Sequence, residues 1–459
     1  MSKQNSTAKA GLKLNYKQIF LIGFGFLASS LTWSIYNSQV PLILEQRFHL
    51  SGVLIGTIMT IDNFFGVIFQ PLVGAASDKS RTRVGRRMPW IIAGIPICAL
   101  FFSLAPLQKS LWAFMGAIII FNLVMSLWRS PVISLMPDVT ARPMRSKANG
   151  VINMMGGVGS ILAFFVGGIL SDIREDKFFA FFFASVLMML ALLILLKYVR
   201  EPDSLSYREE HNIPIKDSLA NRWAYQARQD LADDPHAKEE EEAAATAGKK
   251  RSLAAFLTLP GAEKRSLLFL LLAVFSWFMG FNAIEAFFTI FATNTYGISG
   301  GSATMMLAGF SLTFLLFAIP AGFLGQKIGR RRTILLGLAG ICLLFLPILA
   351  RPQQWLVQAL LIAGGICWAF VNINSLPMVL EFSSNRTVGT FTGYYYFFSF
   401  TSAIVSPILY GFLQDILKSH AYLFAFSIIC FAIAFVFMLL VKHGDNLELA
   451  QEKIKETEA

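Results

Sequence analysis

Charge is what this sequence has least of. Asp, Glu, Lys and Arg make up 15% of its 459 residues, against about 25% in a soluble globular domain. With 55% hydrophobic residues and a mean hydropathy of +0.58, the chain has too little polar surface to cover two or three water-soluble domains. That excludes most cytosolic enzymes and disordered chains. Cysteine is scarce too. Cys98, Cys342, Cys367 and Cys430 form no Cys-x-x-Cys pair, which excludes a disulfide scaffold and reads as small apolar packing. The five histidines are scattered over loops and tails, and no His-Glu-x-x-His motif occurs. No metal site and no catalytic cluster is expected.

Long apolar runs are what the sequence has in plenty. A bilayer-crossing helix needs about 20 mostly apolar residues. Windows of that size pick out twelve spans: 18–40, 53–76, 89–107, 111–136, 149–171, 178–198, 267–291, 302–325, 333–350, 354–378, 388–412 and 420–441. The expected fold class is an all-α polytopic membrane protein. The first span follows a polar tail and lacks a small-residue cleavage site, so it reads as retained. Of the 39 basic residues, six fall on the odd-numbered loops (Arg47, Lys109, Arg174, Lys177, Arg351 and Lys418), and Arg129 falls within a span. The others lie on the tails and even-numbered loops, which places both termini in the cytoplasm and the chain in the plasma membrane. This distribution accounts for the net charge of +11 without any nucleic-acid partner. The sequons at Asn5 and Asn385 fall on cytoplasmic segments and read as accidental.

The expected organisation is a tail (1–17), a six-helix bundle (18–198), a polar central loop (199–265), a second six-helix bundle (266–441) and a tail (442–459). The loop carries Glu239-Glu240-Glu241-Glu242, an Ala-rich stretch and Lys249-Lys250-Arg251. It reads as a partly helical tether, with Ser252–Pro260 along the inner interface; a regulatory role stays open. The two bundles echo each other. Gly74-Ala-Ala-Ser-Asp78-Lys79 leads to Gly85-Arg86-Arg87, and Gly322-Phe-Leu-Gly-Gln-Lys327 leads to Gly329-Arg330-Arg331-Arg332, the Gly-Arg pairs being 244 residues apart. Ser134-Leu-Met-Pro137-Asp138 recurs as Ser375-Leu-Pro377 with Glu381, 241 residues on. Duplicated six-span halves with charged hinges are the architecture of a rocking transporter. The arginines are placed to reach the acid at the inner end of a neighbouring span. Asp78, Arg86, Arg87, Asp138, Arg330, Arg331 and Glu381 are therefore the candidate cytoplasmic gate, with plain positive-inside anchoring as the alternative.

Gly-x-x-x-Asp-Lys…Gly-Arg-Arg resembles the loop signature of the major facilitator superfamily. A longer stretch, Gln70-Pro71-Leu-Val-Gly74-x-x-Ser77-Asp78-x-x-x-x-Arg83-x-Gly85-Arg86-Arg87-x-Pro89, is similar to the sucrose:proton symporter branch of the glycoside–pentoside–hexuronide:cation symporters. Ser130-Pro131…Asp138 in span four and Trp277…Phe281…Tyr296-Gly297 at span seven extend the likeness. The resemblance implies two pseudo-symmetric six-helix bundles, with spans one, four, seven and ten lining a central cavity. Melibiose-type relatives carry acidic cation ligands where this chain has Gly66 and Gln70, so a sodium site like theirs is not expected. Plant sucrose carriers place an Arg at the position of Ile133; here Arg129 stands one helical turn earlier.

An ionisable group deep in a span costs at least about 2.5 kcal/mol. Three stand out: Asp62 in span two, Arg129 in span four and Glu285 in span seven. Polar stripes at helical spacing accompany them: Ser30, Trp33 and Asn37; Asn122, Ser126 and Arg129; Asn282, Glu285 and Thr289; Trp368, Asn372 and Ser375. Tyr395, Ser399, Ser402 and Ser406 make a further stripe on span eleven. Asn, Arg and carboxylates supply the forked donors and acceptors that sugar hydroxyls need. Trp33, Tyr36, Trp128 and Trp368 offer faces for a pyranose ring. Asp62, Arg129 and Glu285 are the candidates for proton coupling, since a carboxylate near an arginine changes proton affinity as the two move apart. For each, an ion pair that merely locks helices together stays open. The expected function is proton-coupled symport of a glucoside or disaccharide by a monomeric carrier, with no cofactor beyond the proton and the lipid bilayer as its surroundings. Alternatives are export of a drug-like or amphipathic solute and, more remotely, a transporter-like sensor or a membrane-embedded enzyme.

Overall fold

A backbone in hydrocarbon must satisfy its own hydrogen bonds, and a helix does so within one segment. The structure, a computed structural model, describes residues 16–80, 82, 84–140, 145–199, 201, 259–383 and 387–444. Asn5, Asn385, the Glu239–Glu242 run and the Lys249-Lys250-Arg251 cluster lie outside the described residues, as does Ser252. Among the described residues every regular element is helical, and twelve helices are long and apolar enough to cross a membrane. They are α1 (Tyr16–Gln46), α2 (Gly52–Lys79), α3 (Met88–Leu107), α4 (Leu111–Val139), α5 (Lys147–Ser171), α6 (Phe178–Tyr198), α7 (Gly261–Tyr296), α8 (Gly300–Ile328), α9 (Arg330–Ala350), α10 (Gln354–Leu380), α11 (Gly389–Leu417) and α12 (His420–Leu440). Each expected span has its helix. Most run further than the apolar windows, because helical pairing continues into the polar flanks.

Two spans are irregular where hydropathy reads them as continuous. α2 runs over Gly52–Ile58, breaks at Met59 and Thr60, and resumes over Ile61–Lys79. The hydroxyls of Thr57 and Thr60 turn back onto the carbonyls of Val53 and Thr57, each at 2.8 Å, the local bonding that bends helices. α5 widens into a π turn over Ala163–Gly167 before closing over Gly168–Ser171.

Contacts gather the chain into two units. The first takes the described parts of 1–33, 65–160 and 181–249; the second takes those of 34–64, 161–180 and 250–459. The second unit thus joins the α1–α2 and α5–α6 turns to α7–α12. We call the end carrying the α1–α2, α5–α6, α7–α8 and α11–α12 turns distal, and the end carrying the chain termini the tail end. In the first unit Phe102 stacks on Phe121 at 4.5 Å and meets Phe181 at 4.6 Å, and Gly94 lets α3 approach Trp128 of α4. In the second, α7 is central. Trp277, Phe287, Phe288 and Phe291 are fully buried, and Ser427 of α12 donates to the Gly280 carbonyl at 3.0 Å. Small residues at close helix contacts replace the hydrophobic drive that lipid cannot provide.

The tail-end charges form braces. In the first unit Asp138, at the end of α4, accepts from Arg86 at 2.8 Å and Arg87 at 3.1 Å. Arg87 also meets Ser77 and Asp78 of α2. Glu201, just past α6, accepts the backbone N–H groups of Arg86 (2.9 Å), Arg87 (2.8 Å) and Met88 (3.0 Å), which satisfies the otherwise orphaned start of α3. Gly85 turns there at φ 118°, and a Cβ on it would collide with the Glu201 carboxylate. Its repeat mate Gly329 also takes positive φ, 96°. In the second unit Arg330 pairs with Glu381 and donates to the Pro377 carbonyl at 3.2 Å. Arg331 does not join Glu381; it donates to the Met438 and Leu439 carbonyls at the end of α12, where an arginine suits the helix dipole. Every one of these pairs ties helices of the same sequence half.

Burial pushes the Glu201 carboxyl above its ordinary value, and the three backbone N–H groups pull it partly back. A raised folded-state value means that the folded chain binds this proton more tightly than the unfolded one. This group's contribution is therefore complete below the ordinary carboxylate range and is lost as pH rises through its raised value. In detergent melts from pH 4 to 8, Glu201→Gln is expected to remove that component of the pH slope. Glu201→Ala is expected to cost about 1–3 kcal/mol by orphaning the N–H groups, read as a lower melting temperature. An unchanged slope and melting temperature would show that Glu201 bears no load.

Candidate functional site

In the second unit, α1 and α7 bring together two of the expected residues. Asn37 donates its amide to Glu285 Oε1 at 3.0 Å. Both are half-buried, so the carboxylate keeps a second oxygen for another donor. One turn along, Asn282 reaches Ser402 of α11 at 3.5 Å, at the long limit for a hydrogen bond. Ser375 of α10 and Tyr395 of α11 share a 2.9 Å bond, and Thr289 is buried within α7. Trp368 stacks face to face on Phe281, 4.3 Å between centroids and 1° between planes, with Phe278 edge-on at 5.8 Å. Asn372 is half-buried on the same helix as Trp368 and Ser375. The span-eleven stripe also glues helices, since Ser406 donates to the Met279 carbonyl at 2.5 Å.

Asp62 lies in the same unit. The break at Met59 and Thr60 puts it in the first turn of the second α2 segment, where unpaired backbone N–H groups favour a negative charge. Asn63 donates to it at 2.9 Å. Hydropathy gave no sign of this interruption.

In the first unit, Arg129 of α4 stands over the Trp33 ring of α1 at 5.8 Å, within cation–π range. Trp33 also meets Phe121 edge-on at 6.0 Å. Asn122 and Ser126 are buried, and the Ser126 hydroxyl turns back to the Leu123 carbonyl at 2.6 Å. Two of the four aromatic faces considered for a sugar are packing residues instead. Trp128 is fully buried against Gly94, and Tyr36 is fully buried.

Sequence reasoning missed a polar cluster toward the distal end of α1. Gln39 donates to Thr304 of α8 at 2.7 Å. Glu45 accepts from Asn294 of α7 at 3.0 Å and lies 3.4 Å from His420 Nε2. The signal was present in the period, since Asn37, Gln39 and Glu45 are polar breaks in an apolar span. Among the described residues no three His, Cys, Asp or Glu side chains are grouped to hold a metal ion. The arrangement offers amide and carboxylate hydrogen bonding beside stacked rings, which suits binding of a polar solute more than bond-breaking chemistry.

Known proteins align with this picture. An isoprimeverose transporter of Lactiplantibacillus pentosus is 22% identical over 221 residues, 44% of this chain and 46% of that protein. A maltose permease of Geobacillus stearothermophilus is 29% identical over 173 residues, 37% of this chain and 40% of that one. This chain therefore spans less than half the length of either sugar carrier. A class E tetracycline resistance protein of Escherichia coli is 24% identical over 368 residues, 78% of each chain. The crystal structure of the nucleoside transporter NupG superposes with a TM-score of 0.64 at 14% identity, over 94% of this chain and all of the other, a likeness of fold. The sequence profile of the Major Facilitator Superfamily matches residues 22–305 and 270–457. With twelve spans and this match along nearly its whole length, the chain belongs to the Major Facilitator Superfamily of membrane transporters.

Proposed function

We propose that this chain is a proton-coupled symporter that imports a glucoside or disaccharide across the plasma membrane by alternating access. The observation that carries the reading is the Asn37–Glu285 pair. A carboxylate held by a neutral amide is satisfied in an apolar span, yet a hydroxyl-rich solute can take the amide's place at little cost. The stacked Phe281–Trp368 pair supplies an apolar wall nearby, and Arg129 above Trp33 supplies fixed donors. Similarity to two carriers named for sugars supports the substrate class.

Glu285 and Asp62 are the coupling carboxylates in this reading. Protonation turns a carboxylate from a pure acceptor into a donor, so a loaded Glu285 loosens its bond from Asn37 and presents an O–H to the solute. Proton and sugar bound together favour the transition between the two access states. The Lys and Arg distribution puts both termini in the cytoplasm, so the distal end faces outward. A second reading, export of an amphipathic solute, is favoured by the tetracycline resistance protein, which aligns over 78% of both chains.

Uptake by energised vesicles separates the two. Accumulation of radiolabelled disaccharide is expected to collapse with a protonophore. Glu285→Gln and Asp62→Asn are expected to abolish accumulation while leaving sugar exchange. Drug efflux without sugar uptake would sink the import reading, and full accumulation by both variants would sink the carboxylate assignment. Asn37→Ala is expected to raise the KM for sugar about tenfold, the value of one hydrogen bond to a charged group. An unchanged KM removes Asn37 from the binding set.

A further inference from the structure

The distal turns of the second unit hold a duplicated device. Gly168-Ile-Leu-Ser-Asp172-Ile closes α5, and Gly411-Phe-Leu-Gln-Asp415-Ile recurs in the last turns of α11, 243 residues later. Each aspartate reaches the first turn of a helix from the other sequence half. Asp415 accepts the Gly52 N–H at 2.6 Å and the Val53 N–H at 2.9 Å, at the start of α2. Asp172 accepts the Gly301 N–H at 2.8 Å and the Ser299 hydroxyl at 2.5 Å, at the start of α8. Ser51 and Ser299 are the N-caps of those two helices, accepting from Leu54 and Ser302. Ser299 sits in a Gly297-x-Ser-x-Gly301 run, but both sides of its hydroxyl are occupied in capping.

One turn before each aspartate, its glycine makes a backbone approach. A Cβ on Gly411 would strike the Gly52 carbonyl, and one on Gly168 would lie 2.9 Å from the Gly301 carbonyl. Both sides therefore repeat one design: a glycine for contact, a carboxylate four residues on, and a serine-capped helix start as the acceptor's target. Lys177 stands at the rim of the α5–α8 copy, 4.0 Å from Asp172.

We propose that these two clasps are a paired latch that holds the distal ends of the two sequence halves together, and that its release opens the path for solute on that side. The inference rests on the alternating-access reading. Each clasp joins an anion to backbone N–H groups that have no partner within their own helix. Those bonds exist only while α2 lies against α11 and α8 against α5, so they favour the distally closed state alone, and only such differential contacts shift an equilibrium. Both clasps bias the same closure, so their losses multiply.

The test is a spin-label distance across the α2–α11 contact. Labels go on L54C and I416C, both on exposed positions, in the full chain with its four native cysteines replaced, in nanodiscs. Asp415→Asn and Asp172→Asn are each expected to raise the ratio of long to short distances about tenfold, and the double variant about a hundredfold. Gly411→Ala keeps both carboxylates and wedges the same contact; it is expected to shift distances the same way and serves if the Asn variants fail to fold. Wild-type distances in the folded double variant, or in Gly411→Ala, overturn the latch. A distance shift in a chain that shows no sugar uptake upholds the latch and rejects the sugar reading, so the two fail separately.

Discussion

Each span leaves four N–H groups at its start and four carbonyls at its end without partners in its own helix, and this fold is organised by what meets them. Glu201 meets the start of α3, Asp415 the start of α2 and Asp172 the start of α8. Arg331 meets the end of α12. Acids stand at N-termini and an arginine at a C-terminus, as the helix dipole favours. In each case the capping side chain comes from a distant segment. One bond therefore finishes a helix and fixes a tertiary contact.

Polar pairs differ in strength with their place. At the tail end Asp138 is held by two arginines and Arg87 is buried. Removing one partner of such a set strands a buried charge, a loss of several kcal/mol. Those pairs build rigid halves. Within the spans the pairs are neutral or carboxylate–amide: Asn37 with Glu285, Gln39 with Thr304, Ser375 with Tyr395. Such bonds in hydrocarbon are worth about 0.6–2 kcal/mol, an energy that a polyhydroxyl solute can match. Firm grips at the tail end and exchangeable ones in the span interior suit a carrier whose halves move as bodies.

The twelve spans were legible because length and apolarity alone define them. The Arg330–Glu381 and Arg86–Asp138 pairings were legible because duplication put arginines and acids at matching places. Their purpose was not, since a charge pattern does not reveal whether a pair lies within a half. The α2 break was hidden because Thr57, Met59 and Thr60 leave the apolar average intact while two hydroxyls bend the backbone. Glu201 carried no local signal, its targets lying 113 to 115 residues away. Trp128 and Tyr36 were misjudged because an aromatic ring in a span looks alike facing a cavity or a glycine.

The π turn in α5 has a genetic meaning. A π turn is one residue more than the helix needs, the trace of an insertion, and everything after it is turned by about 100° relative to an unbroken helix. Gly168 and Asp172 follow that turn directly. Their repeat mates Gly411 and Asp415 sit on α11, which runs as an unbroken α-helix. The two copies thus reach the same contact along backbones of different phase. A single-residue deletion within 163–167 would carry Asp172 off the face that meets α8, whereas a conservative substitution there would leave it in place. Along this stretch the reading frame of the helix is under tighter constraint than the identity of its residues.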